Sequence, residues 1–504
     1  MRTTLQSLVL SCALAAAAFA DPTDWERLVA ESRSAAPTPV TSNAVLYKTA
    51  APAKPVELKQ LKAEEIQGMR LLTHANIPLK VLMACIDKTR DEVQAMLGVI
   101  EQVNQEEKLP DAERIKLHLV CDTEASFRKL KLTQEEYDRY VELDRYFHTS
   151  QADVWLQDWG EIAMVSAPDQ KKEKLFILDT NRARGPLAEL PATLAREWSG
   201  YYFLKPTPSR YSSGDYGGNI EVTPDGVLMI GNTSSQELRD VLAKGYAGHT
   251  ALLDTSWLQV GHVDEFLTTI PTPRAARGYV IVKADPELGL SRIREMTREK
   301  LDAELGEMVH TLYGHELEMD SRATGLGQRA FVMLSEYHAQ EHGYVRDPAK
   351  LAPGGLSSEA AVKTWVEDNR KAKQIIDAQV RVLEEEIRKA SGGDQTPFDV
   401  VSLPALFEPF SSGHTVAMLP GAANMLVLRN HVVVPDPLLP TLRADITGAL
   451  QAVGLKPHLI PDASYHFWQG QLHCGTNVLR HPSLWLVDPA RRPTHARVFP
   501  GLGN

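Results

Sequence analysis

Residues 79–86 (LKVLMACI) are followed by residues 91–105 (DEVQAMLGVIEQVNQ) and 115–121 (IKLHLVC), and these three segments indicate the fold class. The first is a short apolar run and the third alternates between apolar and polar residues, so both are candidate β-strands. The segment between them is a candidate helix. A regular alternation of strands and helices is typical of an α/β domain, and we expect its folded part to begin near Ile77.

The alternation continues along the chain. Further candidate strands lie at residues 174–178, 226–230, 278–282, 424–428 and 458–460. Two helical stretches interrupt it, at residues 290–310 and 358–390. The second has a stripe of apolar residues near helical period, Ser357 or Ser358 as its N-cap and Gly392-Gly393 as its end.

The first 75 residues divide into two segments. Residues 1–20 have a positive charge at Arg2, an apolar run and an Ala-Phe-Ala ending, which is typical of a cleaved signal peptide. Processing as a lipoprotein at Cys12 is the alternative. Residues 21–75 include the proline-rich stretch 34–56, which predicts a linker or an extended N-terminal arm. We therefore expect an exported protein, periplasmic or secreted.

The overall composition excludes some classes of protein. With 504 residues, 43% hydrophobic and 24% charged, the chain has an ordinary globular composition. Its formal net charge of −11 argues against a nucleic-acid-binding protein and is compatible with a cationic substrate. Beyond the signal segment, no run of about 18 apolar residues predicts a membrane span.

Cleavage after Ala20 leaves three cysteines, Cys85, Cys121 and Cys474. Cys85 and Cys121 each end or nearly end a strand-like run and could be buried thiols or a disulfide. Because three is an odd number, at least one thiol stays free or pairs between chains. Cys474 lies in the polar run His473-Cys474-Gly475-Thr476-Asn477, which suits a reactive thiolate, although an incidental buried cysteine is the simpler interpretation of this segment alone.

Two other segments could supply catalytic groups. In Gly261-His262-Val263-Asp264-Glu265, His262 and Asp264 lie two residues apart and would share one face of a strand. Such a pair can move protons or bind a cation, or it can be a structural histidine beside a surface acid. Asp158, between Trp155 and Trp159, could bind a guanidinium that stacks on an aromatic ring, or could cap a helix.

Together these groups suit one reaction. Guanidine hydrolysis requires carboxylates that hold a planar cation, a soft nucleophile for the central carbon, and a histidine that protonates the departing ammonia. The order Asp, His-x-Asp, Cys supplies these parts.

Five motifs strengthen this interpretation because they resemble the catalytic domain of the protein-arginine deiminase family. They are WLQDWGEI (155–162), GNIEV (218–222), WLQVGHVDEFL (257–267), AANMLVLRNHVVVP (422–435) and YHFWQGQLHCGTNV (465–478). The resemblance spans about residues 155–480 and implies an α/β five-bladed propeller, the pentein fold. With the helical insertions, we expect the catalytic domain to occupy residues 76–504. The resemblance further implies a hydrolase that converts arginine, in particular peptidyl-arginine, to citrulline and ammonia through a cysteine-linked intermediate.

The resemblance also assigns residues. Cys474 is similar to the family's nucleophile and His262 to its general acid/base, while Asp158 and Asp264 match the carboxylates that bind the guanidinium. Trp155 and Val260 resemble the residues that form the walls of the substrate channel. Arg182 and Arg184 resemble the arginines that contact the substrate backbone. If these two arginines have that role and are not ordinary surface arginines, the substrate is a protein or peptide.

Calcium is the cofactor that the resemblance implies. Its ligands in one site would be the side chains of Gln157, Glu161 and Glu221 and the carbonyls of Gly217 and Ile220, all of them oxygen donors. In a second family site Asp179 and Thr180 remain, but this chain has Trp159 and Ala183 where the family has oxygen ligands. We therefore expect one calcium ion.

Other functions remain open at this point. A hydrolase or amidinotransferase for a free guanidino compound would use the same four catalytic residues. His338-Ala339-Gln340-Glu341-His342 fits the H-x-x-E-H pattern of zinc proteases, although a solvated helix face is the simpler interpretation. A non-catalytic binding protein on this fold is disfavoured because the catalytic set is complete. The sequence leaves open the natural substrate, the oligomeric state and the calcium affinity.

Overall fold

The computed structural model describes residues 58–143, 153–166, 173–182, 189–198, 200–207, 213–318, 326–344, 358–410 and 413–486. The predicted signal peptide, the arm up to residue 57, Cys12, Ala183 and Arg184 lie outside the described residues.

Strands and helices alternate through the described chain. The strands are β1 (Lys59–Gln60), β2 (Arg70–Leu71), β3 (Asn76–Cys85), β4 (Lys116–Cys121), β5 (Val141–Leu143), β6 (Gly160–Ser166), β7 (Glu173–Asp179), β8 (Tyr201–Leu204), β9 (Ile220–Val222), β10 (Leu228–Gly231), β11 (Thr250–Leu253), β12 (Leu267–Pro271), β13 (Tyr279–Asp285), β14 (Val400–Pro404), β15 (Phe407–Pro409), β16 (Thr415–Ala417), β17 (Leu426–Leu428), β18 (His431–Pro435), β19 (Lys456–Ile460) and β20 (Thr476–Trp485). The helices are α1 (Arg90–Glu106), α2 (Glu124–Lys129), α3 (Gln134–Tyr140), α4 (Leu190–Trp198), α5 (Gln236–Tyr246), α6 (Pro286–Glu295), α7 (Arg298–Glu318), α8 (Leu326–His342), α9 (Glu359–Ala390), α10 (Pro440–Ala452) and α11 (Ala463–Phe467). The predicted α/β fold class is confirmed.

One arrangement recurs in five separate sheets. An antiparallel pair of strands is extended by a third strand that runs parallel to the second. The five sets are β6-β7-β8, β9-β10-β11, β12-β13-β14, β17-β18-β19 and β20-β3-β4. A helix lies between the two parallel strands in each, as a parallel connection requires. The described chain thus repeats one ββαβ unit, although the last unit takes its first strand from the far end of the chain.

The helical insertion lies between β13 and β14 and comprises α6 to α9. The predicted helix at 358–390 is confirmed, because Ser358 is its N-cap and accepts a hydrogen bond from the Ala361 N–H at 3.1 Å. The helical stretch predicted at 290–310 is confirmed, although it comprises two helices, α6 and α7. The chain is extended at Met296, and the Thr297 hydroxyl accepts from the Lys300 N–H at 3.3 Å, so α7 starts afresh after a break.

The predicted start of the fold also needs correction. β1 pairs with β8 and β2 with β6, and the side chains of Leu61, Ile66 and Leu71 are buried. The boundary predicted between residues 75 and 76 therefore falls inside packed structure. These strands are only two residues long, too short to produce a periodic pattern.

The two remaining cysteines are neighbours. Cys85 and Cys121 occupy paired positions in the parallel strands β3 and β4, and both are buried and do not form a disulfide. None of the described helices is both long enough and apolar enough to cross a membrane.

Candidate active site

Five loops meet at the predicted catalytic residues, and each loop precedes the first strand of one ββαβ unit. The loops span residues 153–159, 213–219, 257–266, 421–425 and 469–475. Hydrogen bonds join them directly: the Gln157 N–H donates to the Cys474 carbonyl at 3.1 Å, and the His473 N–H to the Asn424 side-chain oxygen at 2.8 Å. The repeated unit therefore brings together residues that are hundreds of positions apart.

Cys474 lies buried at the centre, with 5% of its surface exposed. Its thiol donates to Asp264 Oδ2 at 3.5 Å and accepts from Asn424 Nδ2 at 3.2 Å. Burial, followed by the negative charges of Asp264 and Asp158, raises the pKa of the Cys474 thiol well above its usual value. Without a cation beside it, Cys474 is therefore a protonated thiol at neutral pH.

Asp264 joins the thiol to the neighbouring histidine. Its Oδ2 is 2.8 Å from His473 Nδ1 as well as 3.5 Å from the Cys474 sulfur. Although burial opposes protonation, the hydrogen bond to Asp264 and the charges of Glu221 and Asp264 raise the pKa of His473. The other carboxylate oxygen, Oδ1, has no hydrogen-bond partner among the described residues.

Asp158, like Asp264, has one carboxylate oxygen in contact with another side chain and one without a hydrogen-bond partner among the described residues. Its Oδ2 lies 3.1 Å from Arg182, and its Oδ1 is buried without a hydrogen-bond partner in the described chain. Burial raises the pKa of Asp158, and the positive charge of Arg182 partly offsets this. Arg182 also lies 2.9 Å from Asp153 and 4.9 Å from the centre of the Tyr216 ring. In this structure its guanidinium is thus held by the protein's own carboxylates.

His262 faces the same space. Its Nε2 is 2.9 Å from the Ser213 carbonyl, and its backbone N–H donates to Glu265 at 2.8 Å. Its Nδ1 has no partner within the described part of the chain. A Cβ on Gly218 would lie 2.6 Å from this nitrogen and 3.1 Å from Asp264 Oδ1, so both atoms border the same glycine.

The predicted walls are near this cluster. Trp155 packs on Tyr465 at 5.7 Å between ring centres, and Gly470 lies so close that a Cβ would meet the Trp155 ring at 2.4 Å. Val260 is half-buried, and its carbonyl accepts from the Ser213 hydroxyl at 3.0 Å. These contacts hold Trp155 against the loop of Cys474 and Val260 against the loop that precedes β9.

A cavity of about 40 Å³ adjoins the cluster and contains the predicted calcium ligands. Gln157, Glu161, Ile220 and Glu221 line it, and Gly217 packs against Glu161. Desolvation and the charge of Glu221 raise the pKa of Glu161 well above its usual value, and burial raises that of Glu221 to about 7. Two desolvated carboxylates beside an amide oxygen form a donor set that suits a hard divalent cation, so the residues present fit calcium.

Asp179 and Thr180, the two residues that remain from the second family site, form hydrogen bonds with other protein groups. Asp179 accepts hydrogen bonds from the Tyr202 hydroxyl at 2.5 Å and the Asn181 N–H at 2.7 Å. The Thr180 hydroxyl donates to the Asp158 carbonyl at 3.0 Å, and Trp159 is buried in the core. The expectation of a single calcium ion stays a prediction.

The H-x-x-E-H segment lies on α8 and does not form a metal site. Both ring nitrogens of His338 are hydrogen-bonded, Nδ1 to the Tyr344 hydroxyl at 2.8 Å and Nε2 to the Met296 carbonyl at 2.9 Å. His342 Nε2 is 2.7 Å from the Arg294 carbonyl. A histidine with both nitrogens occupied has no lone pair for zinc.

Sequence reasoning did not single out Asn424. Its side chain is fully buried, accepts from the N–H groups of His473 and Cys474, and donates to the Asp264 carbonyl and the Cys474 sulfur. It therefore fixes the loop of the thiol against the loop of Asp264. The available signal was a single amide in the apolar run AANMLVL, which is otherwise typical of a buried strand.

Known proteins resemble part of this chain. Protein-arginine deiminase type-4 of Homo sapiens is 26% identical over 358 residues, which cover 66% of this chain and 47% of that protein. Type-1 of Homo sapiens is 28% identical, covering 66% and 46%. The chain thus spans about half the length of these relatives.

Among solved structures, agmatine deiminase of C. jejuni matches 82% of this chain and 96% of its own, with 12% identity and a TM-score of 0.45. Agmatine deiminase of Enterococcus faecalis matches 83% and 97%, with 12% identity and a TM-score of 0.41. The family model described as protein-arginine deiminase matches residues 119–486, which contain all five motifs and all five loops. The chain belongs to the protein-arginine deiminase family.

Proposed function

We propose that this protein hydrolyses the guanidinium group of arginine to a ureido group and ammonia, with Cys474 as nucleophile. One observation carries the proposal. Three buried polar atoms, Asp158 Oδ1, Asp264 Oδ1 and His262 Nδ1, lack partners among the described residues. Asp264 contacts the Cys474 thiol, the charge of Asp158 acts on that thiol, and His262 Nδ1 borders the same glycine as Asp264 Oδ1. Buried polar atoms are almost always hydrogen-bonded, so unpaired ones clustered around a nucleophile indicate the place of a ligand.

A guanidinium complements these atoms. It is planar and positively charged, and it presents N–H donors in a fixed fork that matches carboxylate oxygens. One carboxylate, Asp158, would hold it from one loop, and Asp264 would hold it from another. The site would favour arginine over lysine, because a compact ammonium cannot span two carboxylates with the same geometry.

The substrate's charge would also activate the thiol. Asp264 and Asp158 contribute to the raised pKa of Cys474 because their negative charges oppose a thiolate. A guanidinium bound between them offsets that repulsion, so the thiol pKa falls when substrate binds. The nucleophile is then formed only in the presence of the group it attacks.

The reaction proceeds in two halves. His262 accepts the thiol proton, the Cys474 sulfur bonds to the guanidinium carbon, and His262 returns the proton to the departing nitrogen, which leaves as ammonia. Water then attacks the same carbon, His262 takes its proton, and the carbon–sulfur bond breaks as His262 gives that proton to the sulfur. The products are a ureido group and the restored thiol.

We propose arginine within a polypeptide as the substrate, on the basis of family membership. A hydrolase or amidinotransferase for a free guanidino compound is the alternative with the same four residues. Arg182 would have to share Asp158 with the substrate, because it contacts Oδ2 and leaves Oδ1 unpaired. The role of Arg184 stays a prediction.

We further propose that calcium supports the site. Gln157, Glu161, Gly217, Ile220 and Glu221 would hold it, and it would neutralise the two carboxylates and stiffen the loops that carry Asp158 and Cys474. The direct bond from Gln157 to the Cys474 carbonyl supports this coupling. Calcium would then act as a structural activator.

The five ββαβ units support a proposed five-bladed propeller, because their pre-strand loops all reach one cluster.

Export is proposed from the pattern of residues 1–20 alone. The mass of the chain recovered from its natural host tests it. Cleavage after Ala20 is expected, and a chain that still carries residues 1–20 would rule out processing there.

The activity is tested by assaying ureido product from a blocked arginine ester, an arginine peptide and free arginine, each with and without calcium. We expect the blocked substrates to react fastest and calcium to raise the rate. Cys474→Ser serves as the control and should yield no product. Absence of product from every substrate with the reduced wild-type protein would overturn the proposal, and a preference for free arginine would favour the alternative.

A further inference from the structure

We infer that the cavity beside Cys474 binds a zinc-class divalent cation through His74, Glu221 and His473. In the described part of the chain this is the one cluster of three His, Cys, Asp or Glu side chains that could hold a metal, and all three are buried. Their ligand atoms lie within 4.8 Å of one another. His74 precedes the residues matched by the family model, so the resemblance gives it no role.

Both histidines are already oriented as metal ligands usually are. His74 Nδ1 lies 3.0 Å from the Thr269 carbonyl, and His473 Nδ1 lies 2.8 Å from the Asp264 carboxylate. A carbonyl or carboxylate at Nδ1 requires the proton there, which leaves the lone pair on Nε2. Metal-binding histidines almost always have this outer hydrogen bond, because it fixes the tautomer and the ring orientation.

The spacing is close to that of a metal site. With zinc–ligand bonds of about 2.0–2.2 Å, the donor atoms of a tetrahedral site lie about 3.4 Å apart. His473 Nε2 and Glu221 Oε1 are 3.5 Å apart. The rings of His74 and His473 meet edge to face at 6.1 Å between centres, so a small inward shift of His74 would complete the third ligand.

The chemistry of the donors separates this cation from calcium. Calcium takes oxygen ligands, whereas imidazole nitrogen with a carboxylate suits zinc and its first-row neighbours. Arg480 also lines this cavity. Its guanidinium is held by the protein, because it donates to the carbonyls of Asn76 and Val427 at 3.2 and 3.0 Å. Glu221 belongs to both donor sets, and the cavity measures only about 40 Å³. Zinc and calcium would therefore exclude one another.

This inference is independent of the proposed activity and is tested by binding. Chelator-treated protein is titrated with zinc chloride alone, and bound metal is measured by equilibrium dialysis. We expect one zinc ion per wild-type chain and an affinity at least about tenfold lower in His74→Ala. Wild-type stoichiometry and affinity in His74→Ala would overturn the inference.

Two variants control for other zinc ligands. Cys474→Ser and His338→Ala should each bind zinc as the wild type does, because neither residue is in the ligand set. Loss of zinc in Cys474→Ser would assign the metal to the thiolate and overturn the inference. A cobalt-substituted sample gives an independent measurement: we expect visible bands of a tetrahedral ion without a thiolate charge-transfer band, and that band would contradict the inference.

A replacement variant for His74→Ala and the competition between zinc and calcium complete the test. If His74→Ala does not fold, His74→Gln replaces it, because a glutamine amide can still donate to the Thr269 carbonyl. Saturating calcium should weaken zinc binding to the wild type. Zinc affinity that is independent of calcium would contradict the shared role of Glu221.

Discussion

Two regions of this protein carry histidines and acids at suggestive spacing, and they differ in which polar atoms are already paired. On α8, both nitrogens of His338 are hydrogen-bonded, and Glu341 is exposed and lies 3.6 Å from Arg294. In the cluster around Cys474, Asp158, Asp264 and His262 each keep one buried atom without a partner among the described residues. The spacing of residues suggests chemistry in both regions, but His338 has no unpaired ring nitrogen, whereas each of the three residues around Cys474 keeps a buried atom that is unpaired within the described chain.

The largest expected effect is at Asp264, which contacts the thiol and His473. Asp264→Asn should lower kcat/KM by at least about 10³-fold, because a carboxylate that holds the guanidinium is lost. The same change removes a negative charge that helps to raise the thiol pKa, so alkylation of Cys474 by iodoacetamide at pH 8 should become faster. Asp240→Asn, at an exposed helix position, should change neither quantity. Slower alkylation in Asp264→Asn would contradict the electrostatic account.

A second change tests the close packing of the cluster. In Gly218→Ala the new Cβ would lie 2.6 Å from His262 Nδ1 and 2.9 Å from Asp264 Oδ2, so both side chains must move. We expect kcat/KM to fall by about 10²-fold, as small displacements of catalytic groups do. Gly98→Ala on α1 is the matched control, since no atom lies within 4 Å of its Cβ. It should keep full activity and raise the free energy of unfolding by about 0.5–1 kcal/mol.

Asn424→Ala tests the residue that joins the two loops. The N–H groups of His473 and Cys474 lose a side-chain acceptor, so the free energy of unfolding should fall by about 1–3 kcal/mol. The thiol also loses its donor, which disfavours the thiolate, so alkylation at pH 8 should slow and kcat/KM should fall by about tenfold. Lower stability with an unchanged alkylation rate would reduce Asn424 to a structural role.

The smallest effect on activity is expected on α8. His338→Ala removes the hydrogen bonds to Tyr344 and Met296, so denaturant titration should show a loss of about 1–3 kcal/mol. Citrulline formation by the folded variant should equal that of the wild type. A loss of activity comparable with that of Gly218→Ala would remove the distinction between the two regions.

These comparisons also show what a sequence can predict. Asp158, His262, Asp264 and Cys474 could be named because the family resemblance assigns each of them a role, and the structure places all four in one cluster. Asn424 could not, because its importance comes from contacts with two loops 160 and 50 residues away. His74 was missed for the same reason: its ring reaches Thr269 across 195 residues.

The fold shows the same limit on what the sequence can predict. Long periodic segments such as α9 were predictable to within about a residue, since burial of one face imposes a pattern. The strands β1 and β2 are too short for a pattern, and the break at Met296 depends on one local cap. The placement of β20 beside β3 joins the two ends of the described chain, which local sequence cannot encode.

The central claim is that Cys474 forms a bond with the guanidinium carbon of the substrate. Acid quenching during turnover of a blocked arginine substrate, followed by peptide mass spectrometry, tests it directly. The account predicts an adduct on the peptide that contains Cys474, with the mass of the substrate less ammonia. It also predicts neither adduct nor ureido product from Cys474→Ala. Ureido product at the wild-type rate from Cys474→Ala would contradict the account.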